Sequence, residues 1–105
     1  MRPLAATGAL ALAAVAFAAA ADNAHEATVE IDGTAYVPAI LTVQRGTRVT
    51  WVNRDPFPHT ATARGAFDSR VIAADGKWSF VARKAGRIDY LCTLHPNMRG
   101  TLVVE

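Results

Sequence analysis

The chain has 105 residues, with 11 Lys and Arg against 9 Asp and Glu, and a single cysteine. This length suits one small domain. The formal net charge is only +2, and the sequence has no cluster of basic residues. Both observations argue against nucleic acid as a partner, because phosphate binding needs concentrated positive charge. A lone thiol has no partner within the chain, so it is buried and inert, reactive, or a metal ligand.

The N-terminus has the pattern of a secretory signal peptide. Arg2 provides positive charge, residues 4–21 form an Ala-rich apolar stretch, and small residues precede Asp22. A membrane-spanning helix is the alternative, but 18 mostly alanine residues interrupted by Gly and Thr are weakly hydrophobic. We therefore predict a cleaved signal peptide at residues 1–21, a mature domain at residues 22–105, and a periplasmic location.

The mature segment alternates apolar and polar residues in short runs, with no helical period. The predicted strands, in chain order, cover residues 27–31, 41–44, 47–53, 77–83, 87–92 and 101–104. Gly, Pro and Asn separate these runs at intervals suited to a sandwich of two sheets. The predicted fold class is all-β.

In several of these strands the aromatic residues lie on a single face. Val49 and Trp51 share one face of their strand, and Ile88, Tyr90 and Cys92 share one face of another, because side chains two residues apart point the same way. The Cys92 sulfur should therefore point inward, at the end of the hydrophobic core.

Soft-metal donors concentrate next to that strand. Cys92, His95 and Met98 lie within seven residues, and Pro96 followed by Asn97 predicts a turn between the last two. His59 is the best candidate for a fourth ligand. Two imidazoles, one thiolate and a weak thioether describe a trigonal copper site with a long axial sulfur, which is the arrangement used for one-electron transfer.

The residues around these donors resemble the cupredoxins. The resemblance rests on residues 47–53, on Pro58 with His59, and on residues 89–105. Among cupredoxins the chain looks most like the amicyanins, with plastocyanins and pseudoazurins as near relatives. The resemblance implies a Greek-key β-sandwich and one type 1 copper ion, cycling between Cu(I) and Cu(II), that carries electrons in the periplasm.

The resemblance also implies roles for individual residues. His59, Cys92 and His95 match the strong copper ligands, and Met98 matches the axial ligand. The His95 ring edge should reach solvent as the electron port. An apolar docking patch around it would comprise Pro56, Phe57, Pro58, Leu94 and Pro96, although prolines in turns need no such explanation.

Two neighbouring residues carry further expectations. Asn53 matches an outer hydrogen-bonding position that ties the His59 loop to the Cys92 loop through Thr93; alternatively, it simply ends a strand. Leu94 occupies a position where amicyanins have Pro, so its backbone N–H could donate to the Cys92 sulfur and raise the reduction potential.

The expected partners are redox proteins that bind transiently, such as a dehydrogenase, a cytochrome or an oxidase. The protein itself is expected to be a monomer without enzymatic activity or stable membrane association. Copper handling or delivery is the main alternative, but it usually needs an open, Met-rich or His-rich site. A Cys–His nucleophilic enzyme would lack an orienting acid, and structural zinc normally has four good donors. Both leave Met98 unexplained.

Overall fold

The computed structural model describes residues 25–105. In this range the chain forms nine strands and no helix long and apolar enough to cross a membrane. The strands are β1 (Glu26–Ile31), β2 (Tyr36–Val37), β3 (Ile40–Val43), β4 (Thr47–Asn53), β5 (Thr62–Ala63), β6 (Phe67–Asp68), β7 (Lys77–Ala82), β8 (Gly86–Cys92) and β9 (His95–Val104). The predicted signal peptide lies outside the described residues.

The strands build two sheets, which confirms the predicted all-β sandwich. The smaller sheet has the order β2-β1-β4-β7 and the larger one β3-β9-β8-β5-β6. The pairs β1–β4 and β3–β9 are parallel, whereas the other pairs are antiparallel. Parallel neighbours cannot be joined by a tight hairpin, so the chain crosses from one sheet to the other between them.

The core lies between the two sheets and is built by the faces that the alternation predicts. Val49 and Trp51 of β4 are fully buried, as is Cys92 at the end of β8. Tyr90 packs edge-on against Trp51, with 5.4 Å between ring centroids. Because Cys92 shares its face with Tyr90, its sulfur lies at one end of this aromatic core, as predicted.

Tyr90 also explains a glycine in β9. Gly100 is its Cα partner across the ladder, and a Cβ atom at position 100 would overlap the Tyr90 ring. The phenol therefore lies directly across the β9 backbone, at a place where no other residue type fits without displacement.

Every predicted strand is present, but three further strands were missed. β2, β5 and β6 have two residues each, which is too short to show an alternation. β9 begins at His95, whereas the prediction began at Thr101, because Pro96, Asn97 and Gly100 hide the strand pattern.

Candidate metal centre

Cys92 and His95 face each other across a tight turn. Cys92 is the last residue of β8, His95 is the first of β9, and the two are Cα partners in the ladder. Thr93 and Leu94 form the turn between them. The predicted turn at Pro96 and Asn97 is therefore wrong as to its place, since residues 95–104 form one strand.

Residues 96–98 form a bulge in β9. Leu91 pairs with Arg99, whereas the next residue, Cys92, pairs with His95, so three residues of β9 lie between the two pairs without a β8 partner. A proline costs nothing there, because no ladder hydrogen bond needs its missing N–H.

The bulge places Met98 inside the sandwich. A bulge bends its strand and re-aims its side chains. Met98 is only 4% exposed and belongs to the hydrophobic core, whereas Asn97 and Arg99 on either side are exposed. The thioether is therefore buried three residues from His95.

His59 reaches the same place from the loop after β4. Its backbone is held by Ile72, because the His59 N–H donates to the Ile72 carbonyl at 3.1 Å and the Ile72 N–H donates back at 2.7 Å. The His59 side chain is fully buried. This pair of hydrogen bonds with one residue fixes the His59 backbone, and so limits where its ring can point.

The donor atoms of His59, Cys92 and His95 lie within 4.8 Å of one another. The Cys92 Sγ is 3.7 Å from Nδ1 of His59 and 3.8 Å from Nδ1 of His95. Nitrogen and sulfur ligands at about 2.0–2.3 Å from a shared ion, in a trigonal plane, stand about 3.7–3.8 Å apart. The spacing of the three side chains therefore fits one mononuclear metal ion.

Thr60 links the two loops that carry these donors. Its backbone N–H donates to the Cys92 Sγ at 3.3 Å, and its Oγ1 accepts from the Thr93 N–H at 2.9 Å. Among the described residues the Leu94 N–H makes no hydrogen bond to the sulfur, contrary to the expectation, and the backbone donor to the sulfur is Thr60. A donor aimed at a thiolate withdraws electron density from it.

Asn53 has a different role from the one expected of it. Its side-chain amide donates to the carbonyls of Phe57, Ile72 and Ala73, at 2.9, 3.0 and 3.2 Å. It is fully buried and makes no hydrogen bond with Thr93 within the described chain. Asn53 therefore ties the His59 loop to the segment of Ile72 and Ala73, and the link to the Cys92 loop belongs to Thr60.

Two buried phenols lie beneath the site. The Tyr36 hydroxyl donates to the Thr60 carbonyl at 2.5 Å, and the Tyr36 and Tyr90 rings meet edge-on at 4.6 Å. Burial, and then the charge interaction with Cys92, raise the pKa of Tyr36 well above its ordinary value. Burial raises the pKa of Tyr90 to about 12. Both phenols therefore stay neutral beside the sulfur.

Apolar side chains surround the outer edge of the site. His95 is only partly buried, whereas Phe57 is 41% and Leu94 48% exposed. The Phe57 ring centroid lies 5.2 Å from the His59 ring and 6.1 Å from the His95 ring. His95 is partly exposed, as expected, and all five residues of the expected apolar patch are exposed.

The chemistry of the donor atoms indicates which metal ion the site fits. Thiolate and imidazole suit both zinc and copper, but a buried thioether beside them is typical of copper. Of the four predicted ligands, the structure brings three donor atoms together and buries Met98 nearby. The sequence analysis did not predict the contact between Asp55 and His59, although the two residues are only four positions apart in the chain.

A search for known relatives agrees with this structure. The model of the family described as cupredoxin-like domain matches residues 4–104. The chain therefore belongs to the cupredoxin-like domain family.

Within that family, amicyanins are similar to this chain. Amicyanin of Paracoccus versutus is 34% identical over 94 residues, covering 83% of this chain and 71% of that protein. Amicyanin of Paracoccus denitrificans is 36% identical over 95 residues, covering 85% and 72%. A solved Cu(I) form of an amicyanin variant superposes with a TM-score of 0.74 at 35% identity, over 85% of this chain and 90% of that one.

These matches confirm the resemblance to cupredoxins and to amicyanins. The predicted cofactor, one copper ion, is confirmed by the family together with the donor set of the site. The assignment of the individual ligands remains a prediction.

Proposed function

We propose that this chain is a small periplasmic blue copper protein that carries single electrons between redox partners, with His59, Cys92, His95 and Met98 as the copper ligands. The observation that carries the proposal is the convergence of two imidazole nitrogens on one buried sulfur, at 3.7 and 3.8 Å. Family membership and similarity to amicyanins support it.

Bound copper would supply a one-electron couple between the cupric and cuprous states. The contribution of the chain is to hold the donors still. His59 and Cys92 are fully buried, and backbone hydrogen bonds from Ile72 and Thr60 fix them. Donors that cannot move keep one geometry in both states, which lowers the structural change that accompanies each electron.

The partly exposed His95 provides the electron port. Phe57 and Leu94 flank it and offer apolar surface to a partner. A small apolar rim favours brief docking, because it releases little free energy compared with the large apolar interfaces of permanent complexes. A dehydrogenase, a cytochrome or an oxidase would suit such a surface.

The remaining parts of the proposal come from the sequence. Residues 1–21 would be removed as a signal peptide, leaving residues 22–105 as a monomeric, periplasmic carrier without stable membrane association. The similarity to amicyanins supports an electron carrier that is not an enzyme. N-terminal sequencing of the exported protein tests cleavage after Ala21.

The test is an optical and electron-spin-resonance spectrum of the purified protein with cupric ion, repeated with Cys92→Ala. We expect intense red-orange absorption and narrow copper hyperfine splitting, both lost in the variant. Leu94→Ala, in the same turn but exposed, should keep both features. A pale spectrum that survives loss of Cys92 would refute the proposal and favour copper handling.

The competing function, copper delivery, needs metal that exchanges readily. Burial of His59 and Cys92 disfavours it, because an incoming chelator has no direct access to either donor. Loss of copper to an excess of a cuprous chelator within seconds would favour delivery, whereas retention over hours with fast electron self-exchange would favour the carrier.

A further inference from the structure

Asp55 is a buried carboxylate that contacts a predicted metal ligand. It is 4% exposed. Its Oδ1 accepts the Gly33 N–H at 2.7 Å, and its Oδ2 accepts the Thr34 N–H at 2.9 Å. Oδ2 also lies 2.7 Å from Nε2 of His59. One carboxylate therefore joins the turn between β1 and β2 to the imidazole.

These contacts set the tautomer of His59. An ionised carboxylate can only accept hydrogen bonds, so the hydrogen between Asp55 and His59 must sit on Nε2. Nδ1 is then left with its lone pair, and it is this atom that lies 3.7 Å from the Cys92 sulfur. The nitrogen that faces the site is thus the one free to bind a metal.

Asp55 has the surroundings that keep a carboxylate ionised. Its two oxygens accept the backbone N–H groups of Gly33 and Thr34, and hydrogen bonds donated to a carboxylate favour its charged form. The negative charge therefore persists next to the far edge of the His59 ring.

We propose, on the basis of the function above, that Asp55 is a positioning residue of the copper site. Its carboxylate holds His59 in the Nε2–H form and makes the ring a stronger donor. A stronger donor and a nearby negative charge favour the more highly charged cupric state, and so lower the reduction potential.

The same contacts make the β1–β2 turn part of the site. Gly33 and Thr34 have φ angles of 62° and 57°, in the left-handed region that a β-branched residue rarely adopts. Asp55 accepts the backbone N–H of both residues, which stabilises this conformation. In return, the turn fixes the carboxylate that orients His59.

The first test needs neither copper nor a variant. The ring ¹⁵N chemical shifts of His59 in the metal-free protein distinguish the two neutral tautomers. We expect the Nε2–H form alone. A ring protonated at Nδ1, or a mixture of both forms, would overturn the proposal even if the protein proves to be a blue copper carrier.

The second test is the reduction potential of the copper-loaded Asp55→Asn variant, which keeps the shape of the side chain and removes its charge. The control is Asp32→Asn, the same charge change in the same turn on an exposed residue without a hydrogen bond to His59. Loss of an outer partner costs roughly tenfold or more in metal affinity.

If Asp55→Asn weakens the binding of cupric ion and not of cuprous ion, the reduction potential of the variant rises by about 59 mV for each tenfold loss of affinity. Asp32→Asn should leave the reduction potential nearly unchanged. Equal potentials in both variants would overturn the charge effect. If Asp55→Asn fails to fold, the ¹⁵N measurement on the unaltered protein still decides the tautomer. Absence of thiolate–copper absorption in the copper-loaded protein would refute the proposed function. The ¹⁵N measurement would still decide whether Asp55 sets the tautomer of His59.

Discussion

Replacing Asn53 by Ala should weaken the folded state more than any exposed polar substitution. The Asn53 amide donates to the carbonyls of Phe57, Ile72 and Ala73, and its oxygen accepts the Asp55 N–H at 3.0 Å. Alanine can replace none of these bonds. The loop that positions His59 would lose its tie to Ile72 and Ala73.

The magnitude follows from how buried each partner is. The bonds to Phe57 and Ala73 are partly buried, so water can replace them. The bonds with Ile72 and Asp55 are buried. A buried group left without a partner costs about 1–3 kcal/mol, so the two together predict a loss of about 2–6 kcal/mol. The total free energy of unfolding of a small domain is about 5–15 kcal/mol, so this loss is a large part of it.

The assay is equilibrium unfolding of the metal-free protein in denaturant, followed by Trp fluorescence. Asn97→Ala is the matched control, because Asn97 is exposed in the β9 bulge and its loss should cost less than about 0.5 kcal/mol. If Asn53→Ala unfolds at the same denaturant concentration as the control, the hydrogen bonds of Asn53 do not hold the loop and the reasoning fails.

Three further predictions concern stability. Gly100→Ala should lower the melting temperature and cost about 1–3 kcal/mol, because the new methyl group meets the Tyr90 ring; an unchanged melting temperature would show that the ring moves away freely. Since burial raises the pKa of Tyr90 to about 12 from 10.0, the unfolded chain loses its phenol proton first as the pH rises. The contribution of Tyr90 to stability should therefore be complete below pH 10 and fall by up to about 3 kcal/mol between pH 10 and 12, so denaturant unfolding of Tyr90→Phe should show a smaller fall than the unaltered protein. Copper should raise the melting temperature in calorimetry by binding the folded state only, and chelation should reverse the rise; equal melting temperatures with and without copper would contradict this.

The architecture was predictable where the strands are long. Alternation in β1, β4 and β8 indicates which side chains face inward, because one face of each strand must be buried. The same alternation placed Cys92 inward. The two-residue strands and the start of β9 were not predictable, since their pairing depends on neighbours distant in the chain.

The outer hydrogen bonds were the least predictable part of the site. An Asn that ends a strand can reach several loops, and only the packed structure shows that Asn53 ties the His59 loop to Ile72 while Thr60 reaches the sulfur. Likewise, Pro96 followed by Asn97 has the composition of a turn. The ladder places both in a bulge instead, because His95 is already paired with Cys92.

The sequence alone determined the pattern of the six predicted strands, the inward direction of Cys92 and the identity of the donors, since these depend on residue type and on spacing along one strand. The tertiary structure decided how the donors meet. A loop after β4, a turn after β8 and a bulge in β9 converge only when the two sheets pack. The contact between Asp55 and the β1–β2 turn also exists only in the folded protein. Gly33 and Thr34 lie 22 and 21 residues before Asp55, and their N–H groups reach its carboxylate only once the strands have paired.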